Sequence, residues 1–265
     1  MARTIVVTGS ASGMGAATVV RLEAAGDRVI GVDLHDAEVT ADLGTPEGRA
    51  EAIAAIEAAA DGAIDGLVTW AGLSGLDRYP GSLLVSVNHF GTVALLEGLR
   101  PLLAAGSSPA AVAISSNSTT CFPGVSAELV EACLAGDEAA ARAVGDGVGP
   151  LGCYPATKTA VARWVRRSAP TPEWAGAGIT LNAVAPGAIE TPLLQASRED
   201  PVIGSAVDAF PVPVGRTGRP DELAALVQFL LGPDARFICG SLIFADGGTD
   251  ALLRADDQPT SMPGF

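Results

Sequence analysis

Two groups of residues in this chain have the types and spacing for chemistry. The first is Tyr154-Pro155-Ala156-Thr157-Lys158. Positions i and i+4 share one face of a helix, so a phenol and an ammonium stand side by side. A neighbouring cation favours the phenolate and is expected to lower the tyrosine pKa from its usual value of about 10. A phenol tuned in this way serves as a general acid or base. The same spacing also fits an ordinary amphipathic helix with a packed tyrosine and a solvated lysine.

The second group is Gly9-Ser10-Ala11-Ser12-Gly13-Met14-Gly15, which follows the apolar run Thr4-Ile5-Val6-Val7-Thr8 and opens a helical pattern. Gly9 allows a sharp turn off a strand, Gly13 allows a pyrophosphate to approach the backbone, and Gly15 allows close helix–strand packing. The helix N-terminus then offers unpaired N–H groups and the positive end of its dipole to an anion. Asp33 lies 18 residues beyond the last glycine, at the tip of the next strand pattern. A carboxylate there accepts hydrogen bonds from an adenosine ribose and repels a 2′-phosphate, so NAD is expected rather than NADP. The loop also lacks a Lys or Arg to attract that phosphate. An ordinary strand–turn–helix corner is the alternative. A methyltransferase loop is disfavoured, because Thr8 rather than an acid precedes the first glycine.

Two further polar positions stand near these groups in the expected fold. Ser115-Ser116-Asn117-Ser118 ends a strand pattern, where a hydroxyl can hold a substrate oxygen or simply cap a turn. Asn88 sits inside an apolar helical pattern and needs partners if buried. It reads either as a structural tie or as a water-holding relay residue.

The elements that must position these groups alternate along the chain. Strand-like runs fall at 4–8, 28–33, 66–70, 110–115, 179–185 and 241–245. Helical patterns fall at 14–25, 46–60, 83–103, 154–169 and 220–231. This alternation predicts an α/β fold, a single-domain Rossmann-type doubly wound parallel sheet with helices on both faces. No Pro- or Ser-rich linker divides residues 1–265. Two stretches depart from the pattern. Residues 122–152 are rich in Ala, Glu, Asp and Gly and form a helical insertion before Tyr154, with helix-like pieces at 127–134 and 137–144. Residues 191–220 carry prolines and the apolar residues Leu193, Leu194, Val202, Ile203, Phe210 and Val212.

Composition excludes several classes. With 16 basic and 30 acidic residues the net charge is −14, which argues against nucleic-acid and anionic-membrane partners. Hydrophobic residues make up 48% and charged residues 17%, enough for a large core and unlike a disordered chain. Cys121, Cys133, Cys153 and Cys239 form no C-x-x-C pair and there are only two histidines. No metal site or disulfide scaffold is expected, and a reducing cytoplasm fits best. The N-terminus does not read as a signal peptide, and the longest uncharged stretch, 101–127, is broken by Pro, Gly and Ser, which suits no membrane helix.

Taken in order, Thr8-Gly9-x-x-x-Gly13-x-Gly15, Asp33, Asp42-Leu43, Ala71-Gly72, Asn88, Ser116, Tyr154-x-x-x-Lys158, Asn182, Pro186-Gly187 and Asp246-Gly247-Gly248 resemble the short-chain dehydrogenase/reductase family over nearly the whole chain. Asp36-Ala37-Glu38-Val39, Ala41-Asp42-Leu43 and Glu190 to Ala196 resemble its bacterial 3α-hydroxysteroid dehydrogenase/carbonyl reductase branch more narrowly. The resemblance implies roles. Tyr154 is the acid/base, Lys158 lowers its pKa and binds the nicotinamide ribose, Ser116 orients the substrate oxygen, and Asn88 holds a relay water. Gly9, Ser12, Gly13, Met14 and Gly15 cradle the pyrophosphate. Asp33 and Leu34 meet the adenosine ribose, Asp42 and Leu43 the adenine, and Ala71 and Gly72 pass beside the ribose. Pro186, Gly187, Ile189 and Thr191 wall the nicotinamide.

Departures from the family pattern carry their own expectations. Thr69-Trp70 replaces the usual Asn pair before Ala71-Gly72, so Trp70 fills that volume or alters the adenosine pocket. Only eight residues separate Asp33 from Asp42, too few for a full helix and strand. The long gap from Ser116 to Tyr154 is expected to cover the surface on which the family builds tetramers, leaving a homodimer through the last helix and strand. Residues 191–220 fall where a substrate lid is expected, and their apolar side chains either enclose a ligand or belong to two ordinary helices. The substrate class implied is a small apolar ring alcohol or ketone, sterol-like or else aromatic or terpenoid. A catalytic oxidoreductase and a silent dinucleotide sensor are the two functional readings, and retention of Ser116, Tyr154 and Lys158 favours the first.

Overall fold

The computed structural model describes residues 2–261. Seven strands form one sheet: β1 (Thr4–Thr8), β2 (Arg28–Asp33), β3 (Val39–Thr40), β4 (Gly66–Thr69), β5 (Ala110–Ile114), β6 (Thr180–Pro186) and β7 (Leu242–Ala245). Their order is β3-β2-β1-β4-β5-β6-β7, and every neighbouring pair is parallel. The chain winds outward from β1 in one direction and from β4 in the other. The reversal leaves a crevice at the strand C-termini, where ligands of such sheets sit.

The strands read as continuous apolar runs because helices cover both faces. Side chains alternate between them. On one face Val6, Ile30, Leu67, Ala111 and Leu181 pack against α2 (Pro46–Ala59), α4 (Thr92–Gly98), α5 (Arg100–Ala104) and α9 (Pro150–Ser168) through Ile56, Leu95, Leu103 and Val161. On the other face Ile5, Val7, Val68, Val112 and Val184 meet Leu22 of α1 (Gly13–Ala24) and Leu223, Val227 and Leu230 of α12 (Pro220–Leu230). Each such fully buried Leu or Ile contributes about 1.5–3 kcal/mol.

Remaining helices complete the layers. These are α3 (Gly81–Leu84), α6 (Ser118–Cys121), α7 (Ala127–Leu134), α8 (Glu138–Val148), α10 (Pro192–Arg198), α11 (Gly204–Asp208) and α13 (Thr249–Leu253). The expected insertion is α7 and α8. Ser126 caps α7 by accepting from Leu129 N, and Asp137 caps α8 by accepting from Ala140 N, as hydroxyl and carboxylate N-caps do. The two helices bury Leu129, Val130, Cys133 and Ala141 against Leu84, Val85, Cys153, Ala156 and Ala160. They therefore lie over the face that α3 and α9 would otherwise expose. Where α8 crosses α3, a Cβ on Gly81 would stand 2.1 Å from the Gly145 carbonyl oxygen, so only glycine fits there.

Two expectations are corrected. The sequence predicts one helix over 83–103. Instead, residues Val85–Gly91 form a π-helical stretch between α3 and α4, and the chain breaks again before Arg100-Pro101. The helix predicted from Tyr154 begins four residues earlier, with Pro150 at its first position, where the missing N–H costs nothing. The shortened third-strand element is as expected: β3 has two residues, reached through a turn with Asp36 at φ 53°.

Candidate active site

The crevice at the strand C-termini holds a cavity of about 500 Å³. Its floor is built by the glycine loop. Gly9 and Gly13 have φ of 67° and 52°, which only glycine adopts freely. A Cβ on Gly9 would come within 2.8 Å of Ala71 N, and one on Gly15 within 1.9 Å of the Gly9 oxygen. The loop is therefore pressed against β4's exit on one side and the start of α1 on the other. Ser12 N-caps α1 without closing it with a side-chain bond, so the first N–H groups of the helix remain available to a ligand.

Residues predicted to bind a dinucleotide gather on this cavity. Ser12, Met14, Asp33, Leu34, Asp42, Leu43, Ala71, Gly72, Pro186, Gly187, Ile189 and Thr191 all line it, as do Gly9, Gly13 and Gly15. The Asp33 carboxylate is aimed by Ala11 N–H at 2.9 Å and Leu34 N–H at 2.7 Å. Thr191 N-caps α10 and accepts from Leu194 N at 3.2 Å. Its methyl also packs beside Gly13, where an added Cβ would lie 3.2 Å away. These features fit a dinucleotide: glycine-only contacts at the helix N-terminus for a pyrophosphate, and an oriented carboxylate for a ribose.

Ser116, Tyr154 and Lys158 line the same cavity. β5 ends one residue before Ser115, whose hydroxyl donates to the Lys158 carbonyl at 3.0 Å and ties β5 to α9. Ser116, next in sequence, accepts from Ser118 N at 3.1 Å and lines the site with Tyr154. The Lys158 Nζ stands 6.0 Å from the centre of the Tyr154 ring. Lys158 is buried, and burial lowers its pKa to about 7.

The expected lowering of the Tyr154 pKa is corrected for the protein alone. Burial raises it, with the Ser116 hydroxyl opposing. Tyr154 is half-buried and lines the cavity. Burial also lowers the Lys158 pKa, which weakens its pull toward a phenolate, and positive charge brought into the cavity favours the phenolate.

Asn88 does not line the cavity; it stands behind it. Its Oδ1 accepts from Leu73 N at 2.8 Å and its Nδ2 donates to Leu73 O at 3.0 Å. A Cβ on Gly72 would lie 3.1 Å from both Asn88 Oδ1 and Lys158 Nζ. These bonds tie the loop after β4 in place beneath Lys158. The π-helical stretch re-aims the helix at this point, a frequent device beside functional sites. Asn182 and Asp246 are also ties. Asn182 bonds Ile238 O and Ser241 N, and Asp246 accepts from Gly248 N and Asp250 N.

Other wall residues carry no motif. Leu73 and Tyr79, from the loop after β4, and Leu193 and Leu194 of α10 line the cavity. Leu83 and Val87 stand beside Asp42, both within 3.3 Å of a Cβ built on Gly44. Ile203, Phe210 and Val212 do not reach this cavity, so only the first turn of the expected lid lines it. Trp70 lines the cavity and packs on α1; its indole N–H donates to Thr18 Oγ at 2.9 Å, and Thr18 donates to Met14 O.

Comparison with known proteins agrees with this geometry. Residues 9–250 match the family model described as enoyl-(acyl carrier protein) reductase. The 3-alpha-hydroxysteroid dehydrogenase/carbonyl reductase of Comamonas testosteroni is 44% identical over 253 residues, covering 94% of this chain and 97% of the relative. The chain belongs to the short-chain dehydrogenase/reductase family. The crystal structure of the 3-alpha-hydroxysteroid dehydrogenase from Pseudomonas sp. B-0831, complexed with NADH, superposes with a TM-score of 0.92 at 47% identity, over 96% of this chain and 99% of that one. Levodione reductase superposes with a TM-score of 0.74 at 28% identity, over 94% and 98%. This short-chain dehydrogenase/reductase is thus an oxidoreductase, and Ser116, Tyr154 and Lys158 line one cavity in it.

Proposed function

We propose that this protein interconverts a secondary alcohol and a ketone on an apolar ring substrate of hydroxysteroid type, with NAD as cofactor. One observation carries the reading: Ser116, Tyr154 and Lys158 share a cavity with the glycine cradle and Asp33. The similarity to hydroxysteroid dehydrogenases along almost the full chain supports the substrate class, and so does the apolar wall of Leu73, Leu193 and Leu194.

When bound, the nicotinamide supplies or accepts the hydride at the reacting carbon and, oxidised, brings positive charge into the cavity. The residues do the rest. Ser116 donates a hydrogen bond that orients the substrate oxygen. The Tyr154 hydroxyl donates its proton to that oxygen in reduction and accepts it in oxidation. Lys158 stabilises the phenolate and holds the ribose side of the cofactor. Asn88 holds the loop carrying Ala71 and Gly72 under it. The apolar walls exclude water from the reacting bond. Asp33 receives the adenosine ribose hydroxyls and disfavours NADP.

The same reading treats residues 1–265 as one catalytic domain, with 122–152 as its helical insertion and 191–220 as its lid. It places two chains in a homodimer across β7 and α12, the open edge of the sheet, near the exposed Phe229, Phe237 and Leu252. It also places the protein in the cytoplasm, where its four free cysteines stay reduced. Among the described residues no helix is long and apolar enough to cross a membrane.

The test is initial-rate formation of NADH or NADPH with a panel of 3-hydroxysteroids and aromatic and terpenoid secondary alcohols. NAD-dependent oxidation of the steroids supports the reading. Turnover confined to the smaller alcohols moves the substrate class, and NADH binding without turnover on any member favours a dinucleotide sensor.

A further inference from the structure

Glu138 is the first residue of α8, inside the insertion, yet its carboxylate bonds Arg49 and Ser86, each of which sits directly behind residues that line the cofactor cavity. Both its oxygens are held by Arg49 of α2, Nη1 to Oε2 at 2.8 Å and Nη2 to Oε1 at 2.6 Å. Arg49 is buried, and its remaining Nε donates to the Leu43 carbonyl at 2.9 Å. Leu43 and its neighbour Asp42 line the cavity. The Glu138 Oε1 also accepts from Ser86 Oγ at 2.7 Å, and Arg142 donates to that same hydroxyl. Ser86 lies in the π-helical stretch beside Val87, which lines the cavity next to Asp42.

We propose that Glu138 is a positioning residue for the adenosine half of the cofactor, acting through Arg49 on the 41–44 loop and through Ser86 on the adjoining π-helical stretch. The inference rests on the dinucleotide reading of the cavity. Its physical basis is the fork geometry. A guanidinium bonded bidentately to a carboxylate is fixed in direction as well as place, so the third donor of Arg49 pins the Leu43 carbonyl instead of swinging. Loop 41–44 follows a β3 of only two residues, with no helix before it; Ala41 and Leu43 anchor it in the core, and Arg49 holds the Leu43 carbonyl. The insertion thus adds, from 89 residues away, to the support of this loop. Burial pushes the Glu138 carboxyl up, but hydrogen bonds from Arg49 and Ser86 outweigh it and hold it below its usual value. The carboxylate stays charged wherever the enzyme works.

The experiment compares probes for the two halves of the cofactor. Binding of ADP-ribose and of reduced nicotinamide mononucleotide is measured by calorimetry for the wild type, Glu138→Gln and the paired Arg49→Met/Glu138→Leu variant, which leaves no buried charge unpaired. The expected result is a loss of about tenfold or more in ADP-ribose affinity for both variants. Affinity for reduced nicotinamide mononucleotide stays within about twofold. In steady state KM for NAD rises and kcat at saturation does not. Glu138→Asp, paired with the wild-type Arg49, restores part of the loss. Unchanged ADP-ribose affinity in a folded variant overturns the inference, and so does an equal loss for both probes, which would mark general damage. A wild-type protein that binds neither ADP-ribose nor NADH would instead overturn the dinucleotide reading on which the inference stands.

Discussion

Replacing Gly15 by alanine tests the cradle with a magnitude that follows from the structure. The added methyl would stand 1.9 Å from the Gly9 oxygen and 2.6 Å from the Gly9 carbonyl carbon. A relaxed carbon–oxygen contact needs about 3.3 Å, so the start of α1 must withdraw from the loop by roughly 1.4 Å. Neither partner is a flexible side chain that could give way; both are backbone. Overpacking of this kind costs about 1–3 kcal/mol of stability, and Tm should fall by roughly 2–4 °C for each kcal/mol. The larger effect falls on the ligand, because the helix N–H groups are displaced from where the anion must sit. A shift of about 1 Å in a positioned group costs on the order of 100-fold, so NADH affinity should drop by about that factor. Gly147→Ala is the control. It lies on the exposed face of α8, where an added Cβ meets nothing within 4 Å, and alanine there should stabilise the helix by about 0.5–1 kcal/mol. NADH titration followed by fluorescence, with a thermal melt of each variant, gives both numbers. Wild-type NADH affinity in Gly15→Ala would refute the reasoning and leave the loop an ordinary strand–helix corner.

Two more outcomes follow from the site. Asp33→Ala removes a carboxylate aimed by two backbone N–H groups. Hydrogen bonds to a charged group are worth about 1.5–3 kcal/mol, so kcat/KM for NAD should fall roughly 10- to 100-fold and the preference over NADP should shrink. An unchanged ratio would contradict the role given to Asp33. Lys158 gives a pH signature in the protein without cofactor. Its folded pKa, about 7, lies below the unfolded value for lysine. Between the two, the unfolded chain binds more protons, so stability rises with pH from about 7 toward 10, by at most about 1.4 kcal/mol per pH unit. Melts at pH 7 and 9 should show this gain in the wild type and a smaller one in Lys158→Met. Parallel curves would mean that the lysine keeps its ordinary pKa.

How far the sequence could be read depended on the kind of interaction. The sheet was legible because parallel strands covered on both faces are apolar at every position, and the intervening helices carry alanine-rich patterns. The glycine cradle was legible because Gly9, Gly13 and Gly15 each answer a backbone need within one short segment. The Tyr154–Lys158 pair was legible as a spacing, but not in its electrostatics. Burial decides the sign of both shifts, and burial comes from layers distant in the chain. The π-helical turn at Asn88 escaped because the apolar pattern runs through it unbroken. A buried Asn within that pattern was the available sign. Tyr79, Leu83 and Val87 line the cavity from segments with no motif, and the Arg49–Glu138 pair joins residues that only the insertion's fold brings together.

The central claim is that Tyr154 carries the proton while the cofactor carries the hydride. Tyr154→Phe keeps the ring, its packing and the neighbouring Lys158 and Ser116, and removes one oxygen. The decisive measurement is steady-state turnover of this variant on the preferred alcohol and ketone, with NADH affinity measured alongside. The account predicts that kcat falls by about 10²–10⁴-fold in both directions while NADH affinity stays within about threefold of wild type. Turnover retained at wild-type rates in a variant that binds NADH normally would contradict it.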